Sequence, residues 1–285
     1  RLVKTVILSR HGVRPPTQSP ETLASWSSRA WPAWNTPPGH LTERGAALIR
    51  AEWEVMRQDL AFDGLLPASE CPEKGSVFLY ADNEERTLAT ARAMLEGLAP
   101  GCGFEVNAGH ARRDPVFHPV KSGFLPSPQL SVQERRELER QIAAVQRSTE
   151  KSVAELSSVL GRSPAMCIPG VPSCTLADMP TLLHFPEAGR PESVSLSGGL
   201  ATASTLAEIL LLESLEWPGK AQSLAAKIPD PLPQGPGTPV EIKAREIILA
   251  PRSDRPGVAV LPPLSRWEAA PMEEGGIIMV NPDTA

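Results

Sequence analysis

Near the start of the chain, "SRHGVRPP" (Ser9 to Pro16) sets one imidazole, His11, between two guanidinium groups, Arg10 and Arg14. The planar guanidinium forks match phosphate oxygens in bidentate contact, and their charge disfavours a protonated imidazole beside them. A neutral ring nitrogen next to a bound phosphate monoester is a nucleophile aimed at phosphorus, while the arginines neutralise the non-reacting oxygens. The chemistry implied is phosphoryl transfer through a phosphohistidine, carried by positioning and electrostatics in place of a metal. Gly12 allows a sharp turn and keeps bulk away from the ring. Pro15 and Pro16 stiffen the exit and turn Arg14 back towards it.

His11 can act only if a rigid element presents it. Residues 3–9, "VKTVILS", read as a short buried strand bounded by the Arg-His-Gly turn. That puts His11 at the carboxyl end of a strand, where open α/β sheets bind ligands. An irregular Trp-, Pro- and Ser-rich excursion fills residues 17–40. Thr42 then reads as the N-cap of a helix to about Leu60, with Ile49, Trp53, Met56 and Leu60 on one face. "SVFLYA" (Ser76 to Ala81) is a second strand. Asp82 or Asn83 can cap the next helix, whose face is Leu88, Ala91, Leu95 and Leu98 and which ends near Gly101. Strand, helix, strand, helix is the pattern of an α/β domain.

Between about residues 110 and 195 the texture changes to a helix with Leu138, Ile142, Val145, Val153 and Leu156 spaced for burial, a Cys/Pro-rich loop and a short acidic helix. An apolar helix follows in "SGGLATASTLAEILLLESLEW" (Ser197 to Trp217), and residues 218–285 hold twelve prolines. Strand-like pieces in that tail, at Arg245–Leu249, Val258–Leu261 and Ile277–Val280, read as strands closing a sheet edge or as an exposed segment. The expected organisation is an α/β core from residues 1–115 and 193–217, a mainly helical insertion over 116–192, and a divergent proline-rich segment over 218–285.

With 285 residues, 41% hydrophobic and 21% charged, the chain can bury a full core. A net charge of −5 argues against a general nucleic-acid partner. No apolar run approaches the ~20 residues that span a bilayer, so no membrane partner is expected. Nothing matches a P-loop, a dinucleotide fingerprint, a Ser-His-Asp triad or a zinc spacing, which leaves no cofactor and no metal. The four cysteines fall as Cys71 with Cys102 and Cys167 with Cys174. They read as two local disulfides of an oxidising compartment or as four buried thiols. The chain opens on Arg1, an end that signal-peptide cleavage or trimming would leave, and the prolines lean towards a secreted type.

Several blocks recur in an order that resembles the histidine acid phosphatases, in particular the bacterial periplasmic phytase and glucose-1-phosphatase branch. They are Arg10-His11-Gly12-Val13-Arg14-Pro15-Pro16, "AWPAW" (Ala30 to Trp34), "GHLTERG" (Gly39 to Gly45), "YADNEERTLATARAMLEGLAPGC" (Tyr80 to Cys102), "DPVFHPV" (Asp114 to Val120) and "SVSLSGGLATASTLAEILLL" (Ser193 to Leu212). The resemblance implies a mainly parallel sheet flanked by helices and a metal-independent phosphatase acting on a small-molecule phosphate monoester as a periplasmic or secreted monomer. It makes His11 the nucleophile and Arg10, Arg14 and Arg86 the phosphate clamp. Thr17, Gln18 and Glu208 fall at substrate-pocket positions, with Gln18 where the phytases carry a lysine. It also implies the bridges Cys71–Cys102 and Cys167–Cys174.

The resemblance calls for one thing more, a Gly-His-Asp type motif whose aspartate protonates the leaving oxygen. Each histidine here has another neighbour: Leu41 after His40, Ala111 after His110, Pro119 after His118 and Phe185 after His184. Three readings follow. A deletion or frame change near Trp217 removed the motif; another acid donates, Glu85 first, with Glu84 and Asp82 beside it; or the chain binds phosphate esters without turning them over.

Overall fold

The computed structural model describes residues 4–218 apart from 29, 111–112, 168, 171–172, 188–189 and 191, together with 250–251, 259–260 and 276–281. In chain order its elements are β1 (Val6–Arg10), α1 (Pro20–Trp26), α2 (Glu43–Phe62), β2 (Val77–Ala81), α3 (Glu85–Leu98), β3 (Val106–Ala108), α4 (Val132–Leu160), β4 (Thr181–His184), β5 (Ser195–Gly198), α5 (Gly199–Glu216), β6 (Ala250–Pro251), β7 (Ala259–Val260) and β8 (Gly276–Asn281). Four of the strands form one sheet in the order β1-β8-β2-β3, and every pairing in it is parallel. Parallel neighbours need crossover connections, and α3 supplies the one between β2 and β3.

The sheet holds because α2 and α3 lay their apolar stripes on one of its faces. Ile49, Trp53 and Leu60 from α2 meet Ala91, Met94, Leu95 and Leu98 from α3 over Leu79 and Ala81 of β2, with Ile7 of β1 packed against them. Burying side chains of this size is worth about 1.5–3 kcal/mol each, which outweighs the short strands' weak intrinsic preference. The first strand is not buried on both sides as its sequence suggests: Val6 and Leu8 are 40% and 61% exposed. Alternation along β1 sends Ile7 to the helix-covered face and those two to the other.

Thr42 caps α2 as expected, accepting from Gly45 N. Asp82 and Asn83 do not cap α3. Its N-cap position is Glu84, without a side-chain cap bond, and Thr87 Oγ1 instead reaches back to the carbonyls of Asp82 and Glu84. The Asp82 carboxylate is engaged elsewhere.

A second cluster joins Leu156, Val159 and Leu160 at the end of α4 to Met166, Leu176, Ala203, Leu206 and Leu210, with Trp26 and Trp31 against it. The helical spacing along α4 overstates its burial. Leu138, Ile142 and Val153 are half-buried and Val145 is exposed, because the second cluster takes in only the C-terminal turns of α4. The expected short acidic helix is a single 3₁₀ turn, Leu176–Asp178, closed by Asp178 accepting from Thr175 N. Pro180 stops it there, and β4 then pairs antiparallel with β5, so the 116–192 stretch contributes a hairpin strand as well as a helix.

The tail's last piece lies in the sheet's interior, not at its edge: Ile277 is level with Val6 of β1 and with Phe78 of β2. In a second unit, Pro229–Glu273, the described residues are β6 and β7, which pair antiparallel. The strand expected at Arg245–Leu249 lies outside the described residues. No helix among the described residues is long and apolar enough to cross a membrane.

Both bridges exist, Cys71–Cys102 and Cys167–Cys174. The first ties the segment before β2 to the turn after α3 across a sequence separation of 31. Loop-closure entropy for that span makes Cys102→Ser cost about 3–4 kcal/mol, read as a lowered urea midpoint. An unchanged midpoint would mean that the bridge does not constrain the unfolded chain.

Candidate active site

The strand β1 delivers Arg10 to the carboxyl edge of the sheet, and residues 11–16 follow as a buried loop fixed at three points. Thr42 N donates to Val13 O at 2.9 Å, Gly12 N donates to Thr90 Oγ1 at 3.0 Å, and Val13 packs on Gly45 so closely that a Cβ there would lie 2.6 Å from Val13 O. The starts of α2 and α3 thus hold the loop. Gly12 serves this packing rather than a sharp turn. Its φ lies outside the left-handed region, and an added Cβ would meet Leu41 Cδ1 at 2.9 Å and Ile49 Cγ1 at 3.0 Å.

His11 is buried, and its tautomer follows from its neighbours. Arg14 Nε donates to His11 Nε2 at 3.2 Å, so Nε2 carries the lone pair and Nδ1, 2.7 Å from Gly12 O, carries the proton. Arg14 is itself 4% exposed. Its Nη1 donates to Pro15 O at 3.1 Å, and its Nη2 to Glu208 Oε1 at 2.9 Å.

Arg10 Nη2 donates to the same Glu208 oxygen at 2.6 Å. Glu208 can reach them because Leu206 and Leu210, two positions either side of it on α5, face the second cluster and turn it the other way. A single anionic oxygen therefore sits between two guanidinium groups beside a ring nitrogen with a lone pair. That arrangement can hold a phosphoryl group and attack it.

The structure brings Arg10, His11, Arg14 and Glu208 into one hydrogen-bonded network. Arg86, in the first turn of α3, has its Nη1 3.4 Å from Glu84 Oε2. It also borders Gly39, whose other neighbour is Thr17. Thr17 is exposed and Gln18 half-buried, directly after the proline pair. Glu85 turns to the loop before α2: its Oε2 accepts from Leu41 N at 3.0 Å and lies 3.5 Å from His40 Nδ1.

A carboxylate-imidazole pair at the same sheet edge escaped the sequence reading. Asp82, the residue after β2, has its Oδ2 2.8 Å from His118 Nε2, while its Oδ1 accepts from Asn83 N. The available signal was positional, since Asp82 follows one parallel strand as His11 follows another. The neighbouring Tyr80 hydroxyl donates to Asp114 Oδ2, and its ring stacks between Phe78 and Phe117. Burial first, then the hydrogen bond to Asp114 and the charges of Asp114 and Asp82, push the Tyr80 phenol up to about 12.

Tyr80 is the chain's one tyrosine, so the ultraviolet phenolate signal reports it alone. The folded value lies above the ordinary ~10, so the stability it contributes is intact below about pH 10 and lost as pH rises towards 12. A native titration midpoint near 10 would contradict this.

A model of the histidine phosphatase superfamily (branch 2) matches residues 1–153. The phytase AppA of Escherichia coli (strain K12) is 35% identical over 226 residues, 76% of this chain and 51% of that protein. A glucose-1-phosphatase of Salmonella typhimurium is 37% identical over 125 residues, 42% of this chain and 30% of that protein. Among solved structures, the apo phytase of Hafnia alvei superposes with a TM-score of 0.66 at 34% identity, covering 80% of this chain and 56% of the other. The same phytase in complex with myo-inositol hexakis sulphate gives 0.71 at 28% identity, covering 99% and 72%. The chain spans about half the length of the Escherichia coli relative it matches.

Proposed function

The chain belongs to the histidine phosphatase superfamily, branch 2, and from that membership we propose that its site hydrolyses phosphate monoesters through a phosphohistidine on His11. The observation that carries the reading is the meeting of Arg10 and Arg14 on one anionic oxygen beside the Nε2 lone pair of His11. Phosphate enters between the arginines, with Arg86 closing the clamp and Thr17, Gln18 and Glu208 lining the space beyond it. Nε2 forms a bond to phosphorus as the P–O ester bond breaks, and water then cleaves the P–N bond and releases phosphate. The relatives' printed names, phytase and glucose-1-phosphatase, support a phosphorylated polyol or sugar as substrate. The two bridges fit an oxidising compartment, the periplasm or outside the cell, where the protein acts as a monomer.

The test is steady-state release of phosphate from a chromogenic ester in mildly acidic buffer with chelator present, together with trapping of the phosphoenzyme by rapid denaturing quench. Neither turnover nor a trapped intermediate would end the reading. A second reading, phosphate-ester binding without turnover, draws on the absence of a Gly-His-Asp sequence. It predicts retained phosphate binding in the same experiment with no product.

Glu208 offers a test of where the anion binds. A phosphate between Arg10 and Arg14 brings like charge onto the carboxylate that now bridges them. Glu208→Gln is therefore expected to tighten inorganic phosphate binding about threefold or more, by calorimetry. Weaker binding would mean that the carboxylate's main effect is to aim the arginines.

A further inference from the structure

The reading above leaves one step without an agent, protonation of the departing ester oxygen. Of the acids suggested by sequence, Glu85 is bonded to Leu41 N and faces His40, and Glu84 lies against Arg86. Asp82 is 1% exposed, and its carboxylate ends on an imidazole.

Strand register locates that imidazole's partner. Ala81 of β2 is level with Val280 of β8, and Val280 with Ser9 of β1. Adjacent strands lie about 4.8 Å apart, so Asp82 and Arg10 leave the same carboxyl edge roughly 10 Å from one another. A nucleophile and a leaving-group donor flank a phosphoryl group on opposite sides, each about 3 Å from the atom it engages. Side chains reaching in from strand ends two widths apart leave room for a phosphoryl group between them. Arg86, four residues after Asp82 in the first turn of α3, belongs to the same edge.

His118 is held for such a task. Its Nε2 lies on Asp82 Oδ2 at 2.8 Å, and its backbone N donates to Asp114 O at 2.7 Å. Asp114 is fixed in turn by the Tyr80 hydroxyl and by Val116 N. The ring is 24% exposed, and among the described residues its Nδ1 makes no hydrogen bond. Asp82 keeps one ring proton on Nε2 and fixes the ring's orientation, leaving Nδ1 to exchange a proton with whatever occupies the crevice.

We propose that His118, oriented by Asp82, is the acid that protonates the leaving oxygen in the phosphate-ester hydrolysis inferred above, on which this proposal rests. As His11 Nε2 bonds to phosphorus, the P–O bond breaks, its electron pair stays on the ester oxygen, and the Nδ1 proton of protonated His118 moves to that oxygen. The alcohol leaves. The water that cleaves the P–N bond then returns a proton to Nδ1, which restores the pair.

A proton donor matters most where the leaving group is poor, and that separates it from a merely structural residue. The experiment compares full-length protein with His118→Asn and His118→Gln on an alkyl phosphate and on a nitrophenyl phosphate, whose phenolate leaves without help. Both variants are expected to lose about 100-fold in kcat on the alkyl ester and far less on the aryl ester. The aryl-to-alkyl ratio should therefore widen by about 30-fold or more. Equal losses on both esters, or none, would overturn the proposal. If the parent protein binds inorganic phosphate yet hydrolyses neither ester, the hydrolysis reading fails and this inference with it. If the parent turns over both and the ratio does not move in either variant, only this inference fails. Asp82→Asn serves as a third variant should both His118 changes unfold the protein, and it is expected to widen the ratio in the same direction.

Discussion

Replacing His11 with alanine is expected to lower turnover of a chromogenic phosphate ester by about 10⁴-fold or more and to abolish the trapped phosphoenzyme. The size follows from what the ring supplies. Its Nε2 is the lone-pair nitrogen next to the arginine pair, and an alanine leaves water as the only nucleophile. The arginines stay in place, because Arg14 keeps its bonds to Pro15 O and Glu208 and Arg10 keeps its bond to Glu208. Inorganic phosphate should therefore still bind within about tenfold of the parent, a loss of no more than about 1.4 kcal/mol. Some stability should go as well, since the buried Arg14 Nε loses an acceptor at about 1–3 kcal/mol. Turnover within tenfold of the parent in a folded His11→Ala protein would remove His11 from the mechanism. Loss of phosphate binding together with turnover would instead make the ring a part of the binding site.

Gly97→Ala is expected to weaken the fold strongly through packing alone, and two opposing effects decide its sign. Within a helix, alanine in place of glycine gains about 1 kcal/mol. At this position the new Cβ would stand 2.3 Å from Arg50 O, and 3.0 Å from Glu54 N and Trp53 Cβ. The first two are backbone atoms of α2, so no side chain can rotate away and the two helices must part. Overpacking of this kind typically costs about 1–3 kcal/mol and more when backbone must move, so the net expectation is about 2–4 kcal/mol of destabilisation. The shift should appear as a lower urea midpoint. Activity should fall with it, because the start of α2 anchors the loop that carries His11 through Thr42 and Gly45. A midpoint equal to or above the parent's would mean that the helices can separate without loss.

Much of the local structure was legible in the chain itself. Thr42 announced a helix start, "VFLYA" a strand and the Ile49, Trp53, Leu60 stripe a buried face, because caps and periodicity act within a few residues. The reading failed where burial depends on a distant neighbour. Periodic residues along α4 lie half-open because, among the described residues, only its C-terminal turns are buried in a core cluster, and Val6 and Leu8 lie on the sheet face that α2 and α3 leave uncovered. Asp82 looks like a helix cap by position, yet His118, 36 residues away, takes its carboxylate.

By itself the sequence determined the lineage and half of a chemistry: an imidazole with two arginines at the end of a strand, in a motif order shared with one phosphatase family. Those features are short-range, and short-range order is written directly in residue types and spacing. Only the tertiary structure decided that Glu208, 194 residues from Arg14, joins the arginines. It alone placed Gly276–Asn281 between β1 and β2, and His118 on the edge from which His11 emerges. These outcomes depend on which distant surfaces bury one another, a property of the packed chain that no local spacing encodes.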